Sequence, residues 1–381
     1  MSVKGCRYPI MLKWVCDNMK IGLVGLPLTG KTTFFNLLTG AAKDSESSSY
    51  AKAGALEGTA RIPDERIDFL AGIYKPKKVT YATIDVIDIN GITPESSSSK
   101  GSSAYHFLEK VRQVDALVHV VRAFRDDSVP HIDGSIDPLR DIQTINMELL
   151  FADLAVIENR IQRIETGKKV TKENLQELEV LKKCRECLES EKLINSMNLS
   201  DEEKVYLRTF NFLTERPLVL LVNLDDEQFS KGSYEKKEEL LQYAAAGKLP
   251  VIEISAKTEL EISELDEEDK KLFMEDLGLQ ETGISRLASA VYDYLQLISF
   301  LTAGDDEVKA WTIRKGTQAK AAGGKIHSDI ERGFIRAEVV KYSDFKSLGS
   351  MQKVKEKGLF RLEGKEAVIE DGDIINFRFN V

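Results

Sequence analysis

Gly25-Leu26-Pro27-Leu28-Thr29-Gly30-Lys31-Thr32 stands between the apolar, β-branched run at residues 21–24 and the amphipathic segment Thr33-Phe34-Phe35-Asn36-Leu37-Leu38-Thr39. Eight residues in that pattern, entered from a strand and left through a helix, spell a phosphate-binding loop. The glycines let successive backbone N–H groups turn inward, and the helix N-terminus that follows adds positive potential. Lys31 is the residue type that reaches β- and γ-phosphate oxygens, and Thr32 supplies a hydroxyl suited to magnesium. Leu28, Thr29 and Thr33 complete the set of positions expected to lie against a nucleotide. An accidental glycine turn before a helix would not carry the strand and the amphipathic segment as well.

The chain has 381 residues, 42% of them hydrophobic, which is more than one core usually serves and predicts two or three domains. No stretch approaches the roughly 18 to 20 apolar residues that span a bilayer, and residues 1–19 carry Lys4, Arg7, Lys13 and Asp17 where a signal peptide would be apolar. A soluble cytoplasmic protein without a membrane partner is expected, with residues 1–19 as an N-terminal extension and Met11 or Met19 as alternative starts. Cys6, Cys16, Cys184 and Cys187 are too few and scattered for a disulfide framework. Cys184-x-x-Cys187 could form a redox pair or half a zinc site, but no second Cys/His pair lies nearby, and two helix positions is the simpler reading. The net charge of -9 argues against general nucleic-acid coating. It is unevenly spread: residues 309–381 hold fifteen Lys/Arg against ten Asp/Glu, a local +5 that leaves -14 for the rest. The asymmetry points the C-terminal segment toward an anionic partner, with an ordinary solvated surface as the competing reading.

Short β-rich runs recur at residues 21–24, 81–87, 116–121, 218–222 and 251–254, separated by helical or loop segments. That alternation predicts an α/β fold with a mostly parallel sheet covered by helices. Leu150, Leu154, Ile157, Ile161 and Ile164 step by four and three, and Leu175, Leu178, Leu181 and Leu188 line a second helix after a polar turn at Gly167 and Lys168. The pair reads as an antiparallel helical hairpin inserted at 146–206 into a nucleotide domain formed by 20–145 and 207–304. Serine-rich stretches at 45–49 and 96–103 read as loops. A helical region including 284–300 leads to Gly304, and β-type runs at 333–340 and 374–379 mark a small α+β domain over 305–381.

Further loops fall in the order and placement of those of GTPase-type domains. Asp88-Ile89-Asn90-Gly91 has the Asp-x-x-Gly form expected at a strand end, with Asp88 holding magnesium through water and the Gly91 N–H meeting the γ-phosphate. Ile92 follows where many GTPases carry the glutamine that orients attacking water, work an aliphatic chain cannot do. Asn223-Leu224-Asp225-Asp226 and Ser255-Ala256-Lys257 sit at the ends of the fourth and fifth runs, where base-recognition loops belong. Asn223 would tie neighbouring loops, Asp226 would face the base edge, Leu224 takes the position of the lysine whose stem packs on guanine, and the 255–257 backbone would close the pocket.

With these elements in order, the chain resembles the YchF family, also called Obg-like ATPases. The resemblance covers nearly everything after Lys20 and is most specific at Leu301-Thr302-Ala303-Gly304, residues 308–316, Gly324-Lys325-Ile326-His327, residues 331–338, Glu363-Gly364-Lys365 and residues 371–381. It implies a Ras-like P-loop domain, an inserted helical hairpin, a terminal TGS domain, association with the ribosome chiefly through its large subunit, and a preference for ATP over GTP. In that family an aliphatic residue replaces the catalytic glutamine and a loop histidine compensates. His131, in Ser128-Val129-Pro130-His131-Ile132-Asp133-Gly134, matches its place, with a structural histidine in an ordered loop as the competing reading.

The chain departs from the family where Lys52 stands at the usual magnesium-completing threonine and where residues 93–103 form a serine-rich run in the second switch. The resulting expectation is a monomeric, slow hydrolase of ATP, or of ATP and GTP, with Mg2+ as cofactor, working as a ribosome-associated switch. A nucleotide-responsive scaffold with little turnover is the alternative that the two departures favour. A small-molecule kinase lacks an evident arginine cluster near the motif.

Overall fold

The computed structural model describes residues 19–40, 55–89, 102–167 and 170–380. They form two compact units, one of Lys20–Ala60 with Asp85–Leu287 and one that includes Arg61–Ile84 with Ala288–Val381.

The first unit is built on a six-stranded sheet of β1 (Lys20–Val24), β2 (Ala55–Arg61), β4 (Thr83–Ile89), β5 (Ala116–Arg122), β6 (Leu218–Asn223) and β7 (Val251–Ile254), in the order β2-β4-β1-β5-β6-β7. The pairings β1–β4, β1–β5, β5–β6 and β6–β7 are all parallel. Burial on both faces explains why β5 and β6 read as nearly unbroken apolar runs: every residue of each is buried. The expected α/β fold with a mostly parallel sheet is thus the observed one. β2 and β3 (Lys78–Thr80) were not legible, since Leu56, Ala60 and Val79 alone give no strong alternation.

The hairpin helices are Pro138–Glu165 and Lys172–Glu189. The first starts earlier than its apolar stripe suggested because Asp137 caps it, accepting from the Arg140 N–H, and Pro138 fits the first turn. Leu150, Ile157, Ile161 and Ile164 pack with Val180, Leu181, Cys184 and Leu188 in one cluster. Leu175, expected in the second stripe, is exposed, and Val180 and Cys184 fill the seam instead. Cys184 and Cys187 are both free on that helix, and burial pushes the Cys184 thiol up to about 12, far from the range of a reactive thiolate. Asp153 is fully buried and its carboxylate accepts from Leu213 N, Thr214 N and Thr214 Oγ1 at 2.8–3.1 Å, fastening the hairpin to the loop that leads into β6.

The second unit carries a sheet ordered β11-β10-β12-β8-β9-β3, where β8 is Leu297–Ala303, β9 Glu307–Arg314, β10 Phe334–Lys341, β11 Arg361–Glu363 and β12 Asp373–Phe379. Residues 284–300, expected to be helical throughout, are helix only within Gly283–Tyr294, and Leu297–Ala303 is strand. Gln296 takes a positive φ of 54°, which ends the helix, and the following run is buried on both sides, so its apolar character fitted either element. The C-terminal sheet therefore draws strands from 297–303 and 78–80 as well as from 305–381. Its core packs Phe300, Phe334 and Phe377 with Ala337, Val339 and Ile375. Arg66 binds Asp64 at 2.8 Å and Asp371 at 2.6 Å, linking the 61–84 segment to the chain end within this unit.

Candidate functional site

The carboxyl ends of β1, β4, β5, β6 and β7 lie side by side because Leu23 pairs with Asp88, Val24 with His119, Arg122 with Asn223, and Asn223 with Ile254. β1 sits between β4 and β5, so connections leave it in both directions, and ligands of open parallel sheets bind at such a point.

The loop from Gly25 to Thr32 crosses that end. Gly25 has φ 149° and a Cβ there would lie 2.3 Å from the Val120 carbonyl oxygen; Gly30 has φ 97° and its Cβ would lie 2.5 Å from Asn223 Nδ2. Only glycine fits either place. Lys31, 8% exposed, donates from Nζ to the carbonyls of Gly25 at 3.1 Å and Leu26 at 2.8 Å. Its ammonium is thereby folded into the concavity of the loop. Burial pushes it down to about 8, against the opposing pull of Asp88. Thr29 Oγ1 donates to Leu26 O at 3.0 Å, Leu28 is exposed with φ 61°, and Thr33 is half-buried in the first helical turn.

Thr32 Oγ1 donates to Asp88 Oδ2 at 2.7 Å. Asp88 is buried, and among the described residues its Oδ1 has no hydrogen-bond partner. An orphaned carboxylate oxygen beside a hydroxyl is a donor set for a hard cation. No group of three or more His, Cys, Asp or Glu suited to a metal exists among the described residues, so a cation here would take its remaining ligands from phosphate and water. Gly91, Ile92 and Lys52 lie outside the described residues, as do residues 93–101.

The base-loop candidates come together. Asn223 Nδ2 donates to Thr29 O at 3.0 Å while its Oδ1 accepts from Ala256 N at 3.1 Å. One buried amide thus joins the phosphate loop to the loop after β7. Asp226 Oδ1 accepts from Ser255 Oγ at 3.0 Å and Thr258 Oγ1 at 2.9 Å, and Oδ2 from Lys257 Nζ at 2.7 Å. Burial would raise this carboxyl, but the bonds from Lys257, Thr258 and Ser255 outweigh it and hold it below the usual range. Leu224 is 2% exposed and belongs to the core, so it offers no exposed stem for a base to stack on.

His131 is 6% exposed at its side chain. Its Nε2 meets Asp141 Oδ2 at 2.9 Å, and its Nδ1 accepts from Asp133 N at 3.1 Å. The loop before it is organised by Arg122, a residue that reading the sequence passes over. This buried side chain donates to the carbonyls of Phe124, Asp126, Val129 and Pro130 at 2.8–3.3 Å and lies over the Phe124 ring. Burial pushes its guanidinium down, offset by Asp126 and Asp141. The signal was present as an arginine closing an otherwise apolar strand. Thr258 and Asp141 were also missed, since each resembles ordinary first-turn helix chemistry.

A parallel sheet with a glycine-bounded loop, a buried lysine in that loop and a Thr–Asp pair beside it defines a P-loop nucleoside-triphosphate-binding fold of the Ras-like GTPase class. The family described as "50S ribosome-binding GTPase" matches residues 20–152, and the YchF-GTPase C-terminal family, "Protein of unknown function (DUF933)", matches 297–380. The chain is 42% identical over 362 residues to the ribosome-binding ATPase YchF of Bacillus subtilis, covering 94% of this chain and 99% of that protein. It is 37% identical to human Obg-like ATPase 1, covering 99% and 96%. The Schizosaccharomyces pombe YchF GTPase structure superposes with a TM-score of 0.83 at 30% identity, covering 95% of this chain and 98% of that one. The chain belongs to the YchF family of Obg-like ATPases.

Proposed function

We propose that this protein binds ATP, with GTP as a measurable second ligand, hydrolyses it slowly, and serves as a cytoplasmic, monomeric, ribosome-associated nucleotide switch. The observation that carries the reading is the buried Lys31 ammonium inside the loop bounded by Gly25 and Gly30, beside the Thr32–Asp88 pair. Backbone N–H groups of residues 28–33 and the Lys31 ammonium would bind the β- and γ-phosphates. Thr32 and Asp88 fit Mg2+, which when bound supplies charge neutralisation at the phosphates. Asn223 would hold the phosphate loop against the base loop, and Gly91 would meet the γ-phosphate.

For base choice, both Asp226 oxygens already accept bonds and Leu224 is buried, which supports recognition of adenine by shape and by the Ser255–Ala256–Lys257 backbone over a guanine-reading carboxylate. Shape and stacking discriminate by only about 1 to 3 kcal/mol, so the preference is modest. The names of the relatives, ribosome-binding ATPases, support the partner, reached through the basic TGS-like segment or the hairpin. Binding of ATP and GTP measured side by side, with single-turnover hydrolysis of each and ribosome co-sedimentation across a salt series, tests the whole. Absence of ATP binding would overturn it. The second reading, a scaffold with little turnover, draws on the engagement of both His131 ring nitrogens; single-turnover hydrolysis separates the two.

A further inference from the structure

His131 and the first turn of the Pro138–Glu165 helix form one hydrogen-bonded unit. Asp141, 1% exposed, accepts from His131 through Oδ2 at 2.9 Å and from Arg140 through Oδ1, at 3.1 Å to Nε and 2.9 Å to Nη2. Arg140 also donates to Ser135 Oγ at 2.9 Å and Ser135 O at 2.7 Å, so the loop between His131 and the helix is stitched to the same pair of residues. On the other side of the ring, Nδ1 accepts from the Asp133 backbone N–H. An N–H donor at Nδ1 requires the proton of a neutral imidazole to sit on Nε2, where it is donated to the carboxylate. The Nε2 bond is part-buried and ends on the buried Asp141 carboxylate, while the Nδ1 bond lies at an exposed turn, so Nδ1 is the nitrogen more open to exchanging its partner.

We infer that Asp141 is a positioning residue for hydrolysis: it fixes the Nε2–H tautomer of His131 and so keeps Nδ1 as the acceptor that orients attacking water. This rests on the reading of His131 as the water-positioning residue. A carboxylate behind an imidazole does this because it accepts only; an amide in its place can donate to Nε2 and favours the opposite tautomer, which turns Nδ1 into a donor. Arg140 keeps Asp141 in place by occupying its second oxygen.

The test uses the full chain. Nitrogen-15 spectra of the ring, above the pH at which it is protonated, should show His131 as the Nε2–H tautomer. In Asp141→Asn the Nδ1–H form should grow, kcat should fall by about tenfold or more toward that of His131→Ala, and KM for ATP should stay within about twofold. The double variant should be no slower than His131→Ala alone. If His131→Ala is slow while Asp141→Asn keeps the parental kcat, the positioning role is overturned and the reading of His131 stands. If His131→Ala turns over like the parent, both fall. Should Asp141→Asn fail to fold, the parental spectrum decides: a dominant Nδ1–H tautomer overturns the inference.

Discussion

Asn223→Ala is expected to weaken ATP binding although its side chain faces protein on both sides. The amide donates to Thr29 O, 194 residues away in sequence, at 3.0 Å and accepts from Ala256 N, 33 residues away, at 3.1 Å, both in buried surroundings. Truncation strands one carbonyl and one N–H, each costing about 1–3 kcal/mol when water cannot reach it. Allowing for relaxation, about 2 to 4 kcal/mol is lost from the arrangement that aims the phosphate loop. Every 1.4 kcal/mol is about tenfold in affinity, so a Kd for ATP raised by about 30-fold or more is expected by calorimetry. The remainder should appear as a Tm lower by a few degrees, at roughly 2–4 °C per kcal/mol in a domain of this size. Asn223→Asp is the sharper control. It keeps an acceptor for the Ala256 N–H but sets a carboxylate oxygen against the Thr29 carbonyl, so it should bind no better than the alanine variant. Folded variants that bind ATP within about threefold of the parent would refute the idea that this buried amide preorganises the site.

Lys31→Ala should weaken triphosphate binding far more than diphosphate binding, because the ammonium's expected partners are the β- and γ-oxygens; unchanged affinity for a non-hydrolysable triphosphate would contradict the assignment. With Lys31 lowered to about 8, its charge is present below that pH and lost above it, so ATP affinity should decline between pH 7 and 9, and a flat profile would count against the site. The same shift makes the native state shed a proton that the unfolded chain keeps up to about 10.5, so this one group favours folding increasingly as pH rises through 8. Asp226→Asn should leave ATP affinity nearly unaltered with GTP still bound; a collapse for GTP alone would make Asp226 a guanine reader.

The phosphate loop was legible because its residues have local reasons to be where they are: Gly25 and Gly30 at backbone angles closed to other residues, Lys31 and Thr32 at the start of a helix, all within eight positions. The strand ends were legible where burial on two faces left long apolar runs, as in β5 and β6. What escaped was set by tertiary contact. Nothing local distinguishes Leu175 from Leu181, yet one is exposed and the other buried, because the partner helix meets Val180 and Cys184. The 297–303 strand was hidden for the opposite reason, since a doubly buried run has no periodicity to set strand against helix.

Arg122 shows why the site's support is harder to read than its contacts. A buried guanidinium usually needs a carboxylate, and a search for charge partners in sequence would stop at Asp126 or Asp141. Here four backbone carbonyls take the donors, spread over seven residues of a loop with no regular structure. The loop residues are exposed or half-buried while Arg122 is 2% exposed, so the loop carbonyls stand in for the water that the buried guanidinium has lost. The consequence reaches His131, which follows Pro130 directly: its backbone starts from a carbonyl held by Arg122 and its ring ends on Asp141. On the proposed reading of His131, a mechanism that needed a large excursion of this loop would first have to break the Arg122 bonds and the His131–Asp141 bond.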